Sequence, residues 1–154
     1  MNWFKRTLSK ITEPNSNSQS SQRDPCQSNA YDLIGGDHTI KAIAASFYQF
    51  MDSDPQVKPL RVIHPDSLTI SEEKLYEFLS GWLGGPQLFQ QKYGNPALRA
   101  RHMPFAVDET MRDQWLMCFE HALNENVTQP EHRQAIFQAV STLADHMRNQ
   151  PSQS

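Results

Sequence analysis

The stretch LRARHMPF at residues 98–105 decides how this sequence is interpreted. YGNP at residues 93–96 predicts a turn before it, and Pro104 ends the short helix that we expect to carry His102. A neutral imidazole is the commonest side-chain ligand for a metal, and a short helix between two turns directs one imidazole inward. His102 is therefore a candidate metal ligand. The alternative is a histidine that closes a helix C-terminus, where its charge suits the helix dipole.

The segments on either side of this stretch have the period of amphipathic helices. Apolar residues three or four apart predict four main helices, with stripes formed by Ile40, Ile43, Phe47 and Phe50; by Leu75, Phe78, Leu79 and Trp82; by Met111, Trp115, Phe119, Ala122 and Leu123; and by Ile136, Val140, Leu143 and Met147. No segment alternates with period two, so we predict no strands. This pattern predicts an all-α chain, and by itself it is equally typical of a four-helix bundle.

The ends of these helices carry local signals. The first main helix is expected to end near residues 54–55 and the second at residues 84–85, where Pro and Gly follow. Thr69 and Glu72 have the spacing of a capping box at the start of the second helix. Asp108 is expected to cap the third helix, and Pro130 lies in the predicted first turn of the last.

The N-terminal part of the chain differs from the rest. Residues 12–30 are rich in Ser, Asn and Gln and bury too little apolar area to offset the entropy of ordering, so we predict a disordered linker. Residues 1–11 place Trp3, Phe4, Leu8 and Ile11 opposite three basic residues, which is typical of a basic amphipathic segment. We predict an extension over 1–30 and a globular domain over 31–154. Residues 1–11 are interpreted either as a weak contact with an anionic membrane surface or a partner, or as a disordered leader, and the leader is the simpler interpretation.

Composition bounds the class of protein. The chain has 154 residues, a one-domain length, with 14 Lys+Arg against 17 Asp+Glu and a net charge of -3, which gives no reason to expect a nucleic-acid partner. No apolar run approaches the ~20 residues of a membrane span, and no signal-peptide core follows the start, so we expect a cytoplasmic protein. Cys26 and Cys118 are interpreted as free thiols.

Six short motifs occur in order along the chain: YDLIGG at 31–36, FY at 47–48, HP at 64–65, GGP at 84–86, RARHMPF at 99–105, and Trp115. One such motif is weak evidence, but this ordered set is specific. The chain resembles the group II truncated haemoglobins, over about residues 31–149. The resemblance implies a truncated globin fold, a two-over-two helical sandwich around haem b (iron protoporphyrin IX).

The same resemblance implies which residues hold the haem. His102 corresponds to the axial ligand of the iron, which is the role of a proximal histidine in globins. Arg101 corresponds to the residue that binds a haem propionate, because Arg pairs with carboxylates in a bidentate manner. Arg99 also flanks the ligand, and Lys74 is a candidate for the second propionate. Without the resemblance, these cations would be interpreted as solvated surface charges.

On the opposite, distal side of the haem the resemblance places donors for a bound ligand. Tyr48 offers a hydroxyl, Trp115 an indole N–H, and His64 a third donor in one tautomer. The wall of the distal pocket is expected to be formed by Phe47, Ser71, Leu75, Phe78 and Leu79. From the pattern alone, the aromatic residues are equally well explained as core, and His64 as a turn residue before Pro65.

Three functions follow from these residues. The first is tight O2 binding coupled to redox chemistry, as a nitric oxide dioxygenase or peroxidase that relies on an unidentified reductase. The second is storage or delivery of O2 and other small diatomic ligands. Two or three donors should slow O2 release, which suits neither storage nor delivery, so we favour the first. The third is a haem-free helical interaction module in which His102 is merely structural.

Overall fold

The computed structural model describes residues 29–95 and 108–147, and in these two ranges the chain is helical without any β-strand. The prediction of an all-α chain is confirmed. The helices are α1 (Ala30–Leu33), α2 (Asp37–Ser53), α3 (Lys58–Val62), α4 (Thr69–Trp82), α5 (Leu88–Tyr93), α6 (Glu109–Asn126) and α7 (Pro130–Met147), with a 3-10 turn over Pro55–Val57 that leads into α3.

The four long helices form two layers. Helix α2 packs against both α4 and α6, and α6 packs in turn against α7. The apolar stripes meet in one core, in which the side chains of Ile40, Phe47, Leu79, Phe119 and Val140 are almost completely buried. Helices α2 and α4 thus lie over α6 and α7, which is the two-over-two sandwich that we expected.

The helix ends confirm one predicted cap and contradict another. Asp108 caps α6, because its carboxylate accepts a hydrogen bond from the backbone N–H of Met111 at 2.9 Å. Helix α4 begins at Thr69, so that its N-cap residue is Leu68, whose side chain makes no capping bond. The N–H of Thr69 instead donates to Oγ of Ser67 at 3.5 Å. The predicted capping box of Thr69 and Glu72 is therefore wrong: Thr69 already lies inside the helix, where its side chain cannot act as the cap.

The start of the described chain is held against the turn between α4 and α5. The Asn29 side chain accepts a hydrogen bond from the N–H of Asp32 at 2.9 Å and donates one to the carbonyl oxygen of Gly84 at 2.7 Å. The N–H of Tyr31 donates to the carbonyl oxygen of Leu83. Gly84 has φ +99, a left-handed conformation that favours glycine, and a Cβ there would meet the Asn29 side chain. A Cβ on Gly85 would meet the Tyr31 ring, so the first and fourth motifs also pack directly against each other.

Candidate functional site: the distal aromatic cluster

Phe47 is fully buried on α2, and its ring contacts three other aromatic rings edge to face. The distances between ring centroids are 4.9 Å to Tyr48, 5.2 Å to Trp115 and 6.2 Å to Phe119. The His64 ring lies 6.0 Å from that of Tyr48. The structure therefore brings together four of the residues predicted for the distal pocket. We call Phe47, Tyr48, His64 and Trp115 the distal cluster.

Helix geometry explains how two elements build most of this cluster. Consecutive residues on a helix point about 100° apart, so Phe47 enters the core while Tyr48 lies at its edge. On α6, Trp115 and Phe119 are one turn apart, and their rings stack at 5.5 Å. Trp115 is only half-buried, whereas Phe119 is completely buried. Each helix therefore presents one fully buried ring and one ring that carries a polar group.

The hydroxyl group of Tyr48 is a hydrogen-bond donor across the physiological pH range. Tyr48 is 8% exposed, and this burial raises the pKa of its phenol far above the usual value. The charges of Cys118 and Glu72 act in the same direction, more weakly. The phenol therefore keeps its hydrogen, which it can donate to a small ligand that carries partial negative charge.

The ring of His64 is held by a backbone carbonyl four residues earlier in the chain. Its Nδ1 lies 2.8 Å from the carbonyl oxygen of Leu60. Because a carbonyl oxygen can only accept, Nδ1 carries the hydrogen. In the neutral ring Nε2 is then unprotonated and is an acceptor. The sequence left both neutral tautomers open, and the structure favours the one with the hydrogen on Nδ1. In this tautomer Nε2 accepts a hydrogen bond, and it can donate one only if the ring is cationic.

Of the five residues predicted for the pocket wall, Phe47 lies on α2 and the other four lie on one face of α4. Leu75, Phe78 and Leu79 are buried, and Ser71 is half-buried one turn before Leu75. Phe78 stacks on Trp82 at 6.3 Å and meets Phe89 of α5 edge to face at 6.4 Å. This face is apolar except at Ser71.

The predicted haem-holding residues are seen only in part. Lys74 is exposed on α4, and its Nζ lies 5.4 Å from the centroid of the Tyr93 ring, near the end of α5. Arg99, Arg101 and His102 follow α5 in the sequence and lie outside the described residues. Their roles stay predictions.

Two residues that the sequence interpretation missed hold the turn that carries His64. The side chain of Gln114 is buried, and its Oε1 accepts a hydrogen bond from the N–H of Leu60 at 3.0 Å. The Arg61 guanidinium donates to Asp52 and to the carbonyl oxygens of Pro65 and Asp66. No local pattern marks Gln114, since Gln114 and Leu60 are 54 positions apart.

Comparison with known proteins agrees with this architecture. The bacterial-like globin family matches residues 29–149. Group 2 truncated hemoglobin YjbI of Bacillus subtilis is 36% identical over 78% of this chain and 88% of its own length. The chain belongs to the group II truncated haemoglobins.

Solved structures of other truncated haemoglobins superpose on this one. The cold-adapted protein from the Antarctic bacterium Pseudoalteromonas haloplanktis TAC125 is 44% identical with a TM-score of 0.79, covering 80% of this chain and all (100%) of that one. The group II 2-on-2 hemoglobin from Agrobacterium tumefaciens is 40% identical with a TM-score of 0.79, covering 86% of this chain and 100% of the other. The two-over-two globin fold is therefore established for this truncated haemoglobin.

Family membership implies a haem group and small diatomic ligands such as O2, which argues against a haem-free interaction module. The residues of the distal side fit such a group. Phe47 and the buried face of α4 offer apolar surface for a flat macrocycle, and the distal cluster offers a hydroxyl and an indole N–H for a small polar ligand. In the part of the chain that the structure describes, no helix is long and apolar enough to cross a membrane.

Proposed function

We propose that this truncated haemoglobin carries haem b, binds O2 tightly and uses it in redox chemistry with nitric oxide or peroxide in the cytoplasm. The haem supplies an iron atom that binds O2 and changes its oxidation state. His102 holds that iron from the proximal side. The support for His102 is its motif, RARHMPF, in which Pro104 ends the helix.

Three cations are proposed to bind the haem propionates. Arg101 and Arg99 flank His102, and the guanidinium group suits bidentate pairing with a carboxylate. Lys74 comes from the distal side, directly before Leu75 of the apolar wall. Because Lys74 lies over the Tyr93 ring, its ammonium group is already on the side of α5, the helix that leads to the proximal segment.

One observation carries the proposal: the two donor-bearing rings, Tyr48 and Trp115, both contact Phe47 in a largely buried cluster. Hydrogen bonds to a charged acceptor contribute about 1.5–3 kcal/mol each, and each 1.4 kcal/mol is about tenfold in rate. Two such donors therefore slow O2 release by orders of magnitude. Slow release is unsuited to delivery and leaves time for a second reactant.

The chemistry proposed for this site needs an outside electron donor. Conversion of nitric oxide and O2 to nitrate would take one electron from the bound haem, and an unidentified cellular reductase would have to return that electron before the next turnover. Reduction of hydrogen peroxide to water also draws its electrons from such a reductase. The Tyr48 and Trp115 donors stabilise negative charge that develops on oxygen during either reaction. The small side chain of Ser71 leaves room for the second reactant.

Sustained turnover is the test. The haem-loaded protein is mixed with nitric oxide and O2 in cell extract supplied with NADH, and nitrate is measured over many turnovers. We expect continuing consumption of nitric oxide, and a parallel assay with hydrogen peroxide should show peroxidase activity. Rapid release of O2 together with consumption that stops after one turnover would replace this proposal with O2 storage or delivery.

A further inference from the structure

Helix α3 lacks a cap of its own. The N-cap residue is Val57, whose side chain makes no capping hydrogen bond, and Pro59 in the first turn has no N–H. A helix leaves its first N–H groups without partners inside the helix, and an N-cap side chain normally satisfies the second or the third of them, of which α3 has only the third. In α3 that third residue is Leu60.

The missing acceptor comes from another helix. Oε1 of Gln114, on α6, lies 3.0 Å from the backbone nitrogen of Leu60. Leu60 is 4% exposed and Gln114 8%, so the bond is shielded from water. Gln114 is thus the N-terminal cap of α3, supplied from across the core. Removal of this acceptor would leave a buried N–H unsatisfied.

The same residue, Leu60, also holds His64. Its carbonyl oxygen accepts the hydrogen bond from Nδ1 of His64 at 2.8 Å. Leu60 is therefore bonded through its N–H to α6 and through its carbonyl to the histidine. On α6, Gln114 directly precedes Trp115.

A second contact ties this turn to the helix that carries Tyr48. Nε of Arg61, the residue after Leu60, lies 2.9 Å from the Asp52 carboxylate on α2. Because Asp52 is 64% exposed and only partly shielded from water, this ion pair is the weaker of the two attachments. The buried Gln114 bond is the stronger candidate for holding the position of α3.

We propose that Gln114 is a positioning residue of the distal pocket: it caps α3 from α6 and thereby sets the His64 ring relative to Tyr48 and Trp115. This inference rests on the proposed function, because the position of His64 matters only if a ligand binds beside the distal cluster. Gln114 itself acts through Leu60 and His64 and touches no ligand.

The test uses the full-length, haem-loaded protein with Gln114→Met, which keeps the length of the side chain and removes the acceptor. The readouts are the O2 dissociation rate and the C–O stretching frequency of the CO-bound ferrous form, which reports the polar surroundings of the ligand. We expect the rate to change about threefold or more, in the same direction as in His64→Leu, with a shifted frequency. In a chain that already carries His64→Leu, Gln114→Met should add nothing.

Two variants separate positioning from general destabilisation. Ser46→Ala removes a partly buried side-chain hydrogen bond between α2 and α6, the one that Asn126 donates at 2.9 Å, and should leave both readouts unchanged. Gln114→Glu keeps an acceptor oxygen and should restore most of the native behaviour. If the Met chain fails to take up haem, Gln114→Asn serves instead, since its amide is too short to reach Leu60.

An equal effect of Gln114→Met with and without His64 would overturn the proposal, because Gln114 would then act by some other route. It is equally overturned if Gln114→Met leaves the rate unchanged, or if His64→Leu does. The proposed function is judged separately by Tyr48→Phe, which acts directly on the ligand, so that failure of the two ideas is distinguishable.

Discussion

Phe47 and Tyr48 are neighbours in the sequence but serve the distal cluster in different ways. Phe47 is completely buried and touches three rings, so it fixes the geometry of the cluster. Tyr48 contributes the polar atom, whose hydrogen is retained because burial raises the pKa of the phenol. Loss of the Tyr48 hydroxyl should therefore change ligand chemistry more than packing.

Tyr48→Phe and Trp115→Phe should each speed O2 dissociation about tenfold or more, since each removes one donor that contributes about 1.5–3 kcal/mol while most of the ring stays. Stopped-flow replacement of O2 by CO measures the rate. Tyr76→Phe is the matched control, because its hydroxyl bonds to Asp37 on the exposed surface. A change of less than about twofold in both cluster variants would contradict the donor role.

Cys118 is a buried thiol that should couple stability to alkaline pH. Burial raises its pKa from the usual 9.0 to about 12. The folded thiol then stays neutral while the unfolded thiol ionises, so stability is fully present below pH 9 and is lost as pH rises toward 12. Chemical denaturation at several pH values should show a steeper loss in the native chain than in Cys118→Ala, in which the buried phenol of Tyr48 still contributes a loss of the same sign. Equal slopes of the free energy of unfolding against pH in the two proteins would show that the thiol does not contribute.

At the scale of the helices, the apolar periodicity predicted correctly which segments form the long helices. The capping motifs predicted the helix ends less well. The bounds of α2 and α4 agree with the predicted ends near residues 54–55 and 84–85. Asp108 caps α6 as expected, but the Thr69 and Glu72 pair does not cap α4. A capping box requires Thr69 to lie just outside the helix, and the helical conformation begins one residue too early.

This difference is measurable. Asp108→Ala should lower the free energy of unfolding by about 1 kcal/mol, the usual cost of a lost N-cap. Thr69→Ala should change it by less than about 0.5 kcal/mol, since Thr69 is an exposed residue in the first turn. Thermal or urea unfolding of the haem-loaded proteins would compare the two variants with the native chain. A larger loss in Thr69→Ala than in Asp108→Ala would restore the capping box and contradict the observed helix start.

At the scale of the whole molecule, the haem should contribute to stability as well as to function. A ligand that binds only the folded state stabilises it by mass action. His102→Leu should therefore lose normal haem uptake, lose the five-coordinate ferrous spectrum and lower the unfolding temperature toward that of the haem-free chain. Titration with haem followed by visible spectroscopy checks this. Retention of both the uptake and the spectrum would exclude His102 as the iron ligand.

The N-terminal segment, which lies outside the described residues, is predicted to contact anionic surfaces. Residues 1–11 combine an apolar face with basic residues, and such a short segment binds anionic membranes weakly. We expect slightly greater partitioning to phosphatidylserine-containing vesicles for the full chain than for a chain without residues 1–11. The difference should disappear at high salt, because attraction to the anionic surface is screened. Equal partitioning at low salt would remove the membrane contact.

The sequence by itself determined the fold class, the four long helices and the family. Helical periodicity is a local signal that repeats every 3.6 residues, so the stripes could be read without a structure. The ordered motifs, from YDLIGG to Trp115, identified the truncated globins because several spacings had to agree at once. The same reasoning named Phe47, Tyr48, His64 and Trp115, whose rings the structure brings together.

Only the tertiary structure decided how those residues are held. Gln114 meets Leu60 across 54 positions, and that pairing depends on how α3 packs against α6, for which the sequence carries no local pattern. The same packing directs Nδ1 of His64 to a carbonyl oxygen and so selects its tautomer. The residue type determines which hydrogen bonds a side chain can make. Its partner depends on which distant part of the backbone lies nearby, and that arrangement exists only in the folded chain.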